Sequence, residues 1–370
     1  MKILILNWRD IKNPTSGGAE ILTHEMAKRW VRWGHEVVQF SSWFTGGKKE
    51  EIVDGVKILR FGSANIRSFG FPVHLAAFLW YLKKGRGKFD VVIDEIHGLP
   101  FFTPWYVKEK KVVLICEVAG ELWRKMFGPI FGSLGRITEE FYLRSVYKNT
   151  PFLTISQSTK EELIKNGVEE KNITVLPMGI SIPANLKIFK KEKEPTLIFV
   201  GRLSKPKGVE DAIFALKEVV KKLPRAKLWV VGREDKEYLN YLEKLSQKLK
   251  VYDKIRFFGF VSEKKKFELM SRAHILLAPS IKEGWGLTVP EAGVVGTPAI
   301  VYNSPGLRDV LKNNKLGIIC RENTARVLAE EIIKLLKNKK LYSELAQETT
   351  SFKKKLGWDK TAQFVLENLQ

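Results

Sequence analysis

The chain has 370 residues, 44% of them hydrophobic and 28% charged; it is too long for one ordinary core, suits two domains and excludes a disordered protein. Two cysteines, Cys116 and Cys320, cannot build a disulfide framework. No secretory signal or membrane span is expected: the apolar start stops at Asn7, and the stretch from Phe69 to Leu82 is short and broken by Gly70, Pro72 and His74.

Lys2 to Leu6 reads as a short strand buried on both faces. A polar loop from Asp10 to Gly18 follows, then a helix from Ala19 that ends at Gly34. Further strands are expected at His35–Phe40, Val91–Ile93, Val112–Ile115, Phe152–Ile155 and Ile173–Leu176. Ser181 to Pro195 reads as a linker. The alternation then restarts, with strands at Thr196–Val200, Lys227–Val231, Ile255–Phe258, Ile275–Ala278, Ala299–Val301 and Leu316–Ile319. Helices are expected at Val209–Leu223, Thr324–Leu336 and Lys340–Thr349, with a last segment from Lys355 to Leu369. Strand–helix alternation in two blocks predicts two doubly wound α/β domains, residues 1–184 and 185–356, facing across a ligand-binding cleft.

The net charge of +22, spread over both halves, implies attraction to anions. A lysine-rich surface of the kind found in heat-stable proteins accounts for the same excess. Two acid-free stretches are more specific. Between Asp54 and Asp90 lie Lys57, Arg60, Arg67, Lys83, Lys84, Arg86 and Lys88, interleaved with Phe61, Phe69, Phe71, Phe78, Trp80 and Tyr81. Leu122 to Thr138 holds Trp123, Arg124, Lys125, Met126, Phe127, Ile130, Phe131 and Arg136. Rings beside cations suit a membrane interface with anionic headgroups; ordinary helices with aromatic core faces and solvated lysines are the alternative.

The sharpest chemistry lies at Glu283-Gly-Trp-Gly-Leu-Thr-Val-Pro-Glu291, after a strand and the turn Pro279-Ser280. Its glycines let backbone N–H groups approach an anion, and each carboxylate can accept from neighbouring hydroxyls of a polyhydroxy ligand. Thr288-x-x-Glu291 also reads as a capping box. Gly201-Arg202 through Lys207-Gly208 closes one strand and opens the next helix; a guanidinium fork and an ammonium there fit a pyrophosphate. Gly17-Gly18, before the first helix, is a weaker candidate for the same job.

These three elements, in this order and over nearly the whole chain, resemble glycosyltransferase family 4, retaining enzymes of the GT-B fold. Ser156–Leu163 and Asn172–Gly179 are similar to the family's segments that close the first domain. The resemblance implies that a helix at 357–370 returns to pack on the first domain. It implies that Arg202 and Lys207 bind the donor diphosphate, with Glu283, on the donor sugar, completing the catalytic set. Glu291 would hold the ribose, backbone at Gly286, Leu287 and Thr288 the phosphates, Phe260 and Val261 the base, and Gly17 and Gly18 the diphosphate from the first domain. Many members place a histidine after a first-domain strand; here Cys116-Glu117 follow Val112–Ile115, and His97 is the neighbouring candidate.

The implied activity is transfer of a sugar from a nucleoside diphosphate, UDP or GDP, to an acceptor hydroxyl. The acceptor is read as a lipid-linked or cell-envelope glycan, with the protein cytoplasmic and peripheral on the inner membrane face. No permanent cofactor and no metal are expected: the five histidines are dispersed and no Asp-x-Asp stands in a loop. A same-fold nucleotide-sugar epimerase is the alternative enzyme. Nucleic acid is not expected as a partner, since no helix-turn-helix, zinc finger or aromatic RNA-binding signature occurs.

Overall fold

The computed structural model describes residues 1–63, 71–233, 236–312, 316–351 and 357–369; Arg67 and Phe69 of the first acid-free stretch lie outside them. The chain forms two compact units, Met1–Gly179 with Gly357–Gln370, and Ile180–Leu356. The division falls at Gly179/Ile180 rather than after residue 184. Ile180 is buried in the core of the second unit, whereas a side chain on Gly179 would strike Trp358 of the first.

The first unit opens with β1 (Lys2–Leu6), α1 (Gly18–Arg32) and β2 (Glu36–Ser41). A hairpin of β3 (Glu50–Val53) and β4 (Val56–Arg60) follows, turned by Asp54 and Gly55. Both turn residues have positive φ, the conformation an Asp-Gly type I′ turn requires. Next come α2 (Phe71–Trp80) with a π-helical turn at Tyr81–Gly85, β5 (Val91–Ile96), β6 (Lys110–Ile115) and α3 (Leu122–Phe141), which breaks at Gly128-Pro129. β7 (Phe152–Thr154), α4 (Gln157–Lys165) and β8 (Ile173–Val175) complete the eight-stranded sheet, ordered β3-β4-β2-β1-β5-β6-β7-β8 and parallel except at β3. β1 to β2 steps one way along the sheet, while β4 to β5 and β6 to β7 step the other. Right-handed crossovers therefore place α1 on one face and α2 and α3 on the opposite one.

The second unit runs β9 (Thr196–Val200), α5 (Val209–Lys222), β10 (Lys227–Val231), α6 (Lys236–Lys248), β11 (Ile255–Gly259), α7 (Glu263–Arg272), β12 (Ile275–Ala278), α8 (Thr288–Val294), β13 (Ala299–Val301), α9 (Pro305–Lys312), β14 (Gly317–Ile319), α10 (Ala325–Lys337) and α11 (Lys339–Ser351). All six strands are parallel, in the order β11-β10-β9-β12-β13-β14. The two-residue period of β9 splits the core: Leu197 and Phe199 pack towards α5 and α10, and Ile198 towards α7 and α8.

Residues 181–195, expected as a linker, carry no helix or strand but are fastened to the second unit. Lys191 Nζ donates to Ala273 O (2.7 Å) and Thr297 Oγ1 (2.5 Å), and Glu192 pairs with Arg272. The last helix, α12 (Trp358–Leu369), packs on α1. Trp30 Nε1 donates to Ala362 O (2.8 Å), and Thr361 Oγ1 donates to Pro177 O.

Candidate active site

Open parallel sheets bind ligands at the carboxyl ends of their strands. In the second unit β9 and β10 are each followed at once by a glycine, Gly201 and Gly232, and β11 ends on one, Gly259. A Cβ on Gly232 would lie 1.7 Å from Gly201 O, so only glycine lets these two strand ends come so close. The loop after β9 then folds as a tight turn, Lys205–Lys207, and enters α5 through Gly208 at φ 73°. A Cβ at Gly208 would lie 2.1 Å from Pro279 O, and Ile281 N donates to Pro206 O (2.9 Å). The loops after β9 and β12 are thereby stapled to each other.

That staple joins two residues far apart in sequence. Lys207 Nζ lies 2.5 Å from Glu283 Oε2, both side chains partly exposed. Glu283 is itself held from behind, since Gly306 at the start of α9 donates its N–H to Glu283 O (3.2 Å). Arg202 is exposed, and among the described residues no carboxylate pairs with it. One tethered and one free cation thus share this strand edge.

Gly286 turns at φ 83°, and its carbonyl accepts from Val289 N (3.0 Å). Leu287 precedes α8 and Thr288 opens it, with no side-chain cap. The capping-box alternative is therefore not what forms: Glu291 turns away from the helix start and meets Lys266 of α7. Lys266 Nζ donates to Glu291 Oε1 and lies 2.9 Å from Oε2 as well, an ion pair spanning both carboxylate oxygens. Burial pushes the Glu291 carboxyl above the usual range and Lys266 opposes it. A carboxylate held by a single ammonium keeps lone pairs for ligand hydroxyls. Phe260, just past β11, is exposed with the Arg233 guanidinium 4.4 Å over its ring, and Val261 packs on the core below. A bare ring backed by a cation is a stacking platform for a planar base.

In the first unit Gly17 and Gly18 begin α1, and Gly17 N donates to Glu20 Oε2 (2.6 Å). Nearby, β5 runs three residues further than the sequence pattern indicated, carrying two buried carboxylates. Asp94 accepts from Phe101 N, Thr103 N, Thr103 Oγ1 and Tyr147 Oη, which fixes the loop after β5. Glu95 accepts from Asn7 Nδ2 (2.6 Å) and Thr23 Oγ1 (2.7 Å) and lies 3.2 Å from His97 Nε2. Burial disfavours the imidazolium of His97, but the hydrogen bond and charge of Glu95 outweigh it and raise its pKa. The His97 ring stacks on Trp8 (5.4 Å), and the Arg9 guanidinium lies 4.0 Å from the centre of the same indole. Burial and the surrounding Glu95, Glu117 and Glu20 push the Cys116 thiol well up, so it is a neutral thiol at physiological pH.

All the second-unit residues singled out in the sequence lie at one strand edge or on the α8 segment beside it. Lys266, Arg233 and Ser304–Gly306 were missed, as were Glu95, Trp8 and Arg9. A lysine within a helix carries no local signal, but the Pro305-Gly306 pair after a strand did mark a close approach. Among the described residues, no three His, Cys, Asp or Glu side chains are grouped as metal ligands would be.

Comparison with known proteins bears on the whole chain. Residues 183–352 match the model of glycosyl transferases group 1, and residues 16–182 that of glycosyltransferase family 4. An uncharacterized glycosyltransferase of Methanocaldococcus jannaschii is 27% identical over 86% of this chain and 84% of its own. A phosphatidyl-myo-inositol mannosyltransferase of Mycobacterium leprae is 30% identical over 47% and 44%. Among solved structures, sucrose-phosphate synthase from Thermosynechococcus elongatus superposes with a TM-score of 0.82 at 18% identity, over 99% and 98% of the two chains. Anabaena HepE in complex with UDP and glucose gives 0.76 at 15% identity, over 100% and 99%. Family models that together run from residue 16 to 352, and two Rossmann-like units of GT-B type, lead to one conclusion: this chain belongs to the glycosyltransferases of family 4 and group 1.

Proposed function

We propose that the protein is a retaining glycosyltransferase that moves a sugar from a UDP- or GDP-sugar to a hydroxyl of a lipid-linked acceptor, working at the cytoplasmic membrane face. The observation that carries the donor reading is the Lys207–Glu283 pair beside the free Arg202 at one strand edge. A diphosphate ester carries negative charge on the oxygen that departs. Arg202 offers that charge a two-pronged donor, and Lys207 a point charge already aimed by Glu283. Backbone at Gly286, Leu287 and Thr288 adds N–H donors.

Glu283 accepts from sugar hydroxyls with the lone pairs Lys207 leaves it, and Glu291, held by Lys266, accepts from the ribose in the same way. Phe260 and Val261 take the base. Because Glu283 is committed to Lys207 and Cys116 is a neutral thiol, neither serves well as a covalent nucleophile. We therefore read retention as same-face attack: the acceptor hydroxyl passes its proton to the departing phosphate oxygen as the new C–O bond forms. UDP with glucose in the Anabaena structure supports a uridine donor, and the inositol-lipid mannosyltransferase supports a lipid acceptor.

Calorimetric titration with UDP, GDP and ADP tests the donor reading. Base-selective binding is expected, weakened at least about 10-fold in Arg202→Ala. No binding of any of the three to folded wild type would overturn it.

A further inference from the structure

The apolar face of α3 points outward. After the break at Gly128-Pro129, Ile130, Phe131, Leu134, Ile137 and Phe141 are all exposed, Ile130 at 79%. They recur at helical spacing and form one continuous stripe. The opposite side of the helix, which an ordinary amphipathic helix would keep polar and solvated, is the side turned to the protein. There Gly132 and Gly135 approach Trp123 and the Arg124 backbone of the helix's own first turn, across the break, and Glu139 accepts from Ala119 N, Gly120 N and Trp123 Nε1. Glycines and a capping carboxylate seat the helix, so its stripe is left free for something else.

A second stripe lies on α2 and the turn after it: Phe71, Leu75, Leu79 and Leu82 are exposed. Right-handed crossovers put α2 and α3 on the same sheet face. The loop between β5 and β6 bridges them, with His74 bonded to Leu99 O, Phe78 against Tyr106, and Phe102 against both Trp105 and Tyr142. Trp105 stands between the stripes, 67% exposed. Isolated exposed apolar side chains are ordinary; two stripes and a tryptophan on one face form a patch that marks an interaction surface.

Charge decides the occupant. Lys83, Lys84 and Arg86 follow the α2 stripe, Lys125 adjoins the α3 stripe, and among the described residues none of the four pairs with a carboxylate. A second copy of a chain bearing +22 would be repelled by this rim, whereas anionic headgroups neutralise it while the rings and aliphatic side chains enter the acyl boundary. We infer that the α2–α3 face of the first unit is a docking surface for an anionic lipid bilayer. This rests on the lipid-linked acceptor reading for its purpose, since a bilayer-held enzyme meets such an acceptor in two dimensions.

The test is co-sedimentation of the full chain with phosphatidylcholine vesicles, with and without about a third phosphatidylglycerol. Wild type is expected to bind the anionic vesicles and to be released by salt. Ile130→Ser/Phe131→Ser/Ile137→Ser together should weaken that binding by at least about 100-fold, the loss expected when three apolar side chains only partly leave water at the bilayer boundary, with circular dichroism and nucleotide titration unchanged. Lys83→Glu/Lys84→Glu should remove much of the salt-sensitive part. Wild-type indifference to both vesicles, or full binding by the triple variant, would overturn the inference. So would a dimer in sedimentation equilibrium that the triple variant abolishes without any vesicle binding. Vesicle binding is read without donor or acceptor, so it is separable from the functional reading: a wild type that docks but transfers no sugar to a detergent-dispersed lipid glycoside keeps the surface and sinks the lipid acceptor alone.

Discussion

Lys207 and Glu283 reach each other because Gly208 has no side chain to keep the Pro279 carbonyl away. The pair is partly exposed, so its worth to stability is small and its worth to the site is positional. Glu283→Ala should therefore lower kcat/KM by at least about 100-fold while leaving unfolding free energy within about 0.5 kcal/mol. If Glu283 acts partly through Lys207, losses in Glu283→Ala, Lys207→Ala and the double variant will be far from additive; simple additivity would assign the two residues separate roles. Gly208→Ala should behave oppositely. A Cβ in the left-handed region and 2.1 Å from a carbonyl oxygen costs about 2–4 kcal/mol, read by urea unfolding, and spreads the two loops, read as weaker nucleotide binding. Stability unchanged in that variant would mean the staple is not rigid. Glu291 belongs with these residues for a different reason: Lys266 neutralises it from α7, so Lys266→Met would leave a buried carboxylate alone.

At the scale of elements, the segment before β9 is tied down by a buried lysine. Burial lowers Lys191 to about 7 from an ordinary 10.5, although its ammonium donates to Ala273 O and Thr297 Oγ1. Between those values the unfolded chain binds the proton and the folded chain does not. Stability therefore rises with pH above about 7, at up to about 1.4 kcal/mol per pH unit. Buried tyrosines such as Tyr342, pushed up to about 12, oppose this only above pH 10. Urea unfolding at pH 7, 8 and 9 should show the rise in wild type and a flat profile in Lys191→Met; equal slopes would show that Lys191 stays charged in the fold. Nothing in the sequence announced this lysine, which sits in a run of lysines that reads as solvated. The strands were legible because parallel strands buried on both faces are short unbroken apolar runs, and Ile275–Ala278 and Ala299–Val301 were delimited to the residue. β5 was cut short because Asp94 and Glu95 look like a polar loop until their donors are seen. The β3–β4 hairpin was passed over although Asp54-Gly55 is a strong turn signal. α3 reads as an aromatic, basic stretch, and its stripe faces out because Glu139, on the other side, is buried against the backbone at Ala119 and Gly120.

For the whole molecule, the order of the chain sets a constraint that neither unit has alone. The first unit is closed by α12, which follows the entire second unit in sequence. α12 buries Trp358, Ala362, Val365 and Leu369, covers Trp30 of α1, and adds the Trp30–Ala362 hydrogen bond and the Arg29–Asp359 ion pair. Apolar burial of that size, less the ordering of the helix, contributes about 3–6 kcal/mol. A chain ending at residue 356 should consequently lower the unfolding transition of the first unit by at least about 10 °C and leave that of the second in place. Hydrogen exchange resolves the two: amides of β1 and β2 should lose protection and those of β9 and β12 should keep theirs. Equal loss in both units would mean that they unfold as one body and that α12 stabilises the molecule as a whole. Unchanged protection in β1 and β2 would mean that α1 is stable against solvent with Trp30 uncovered, which its complete burial against α12 argues against.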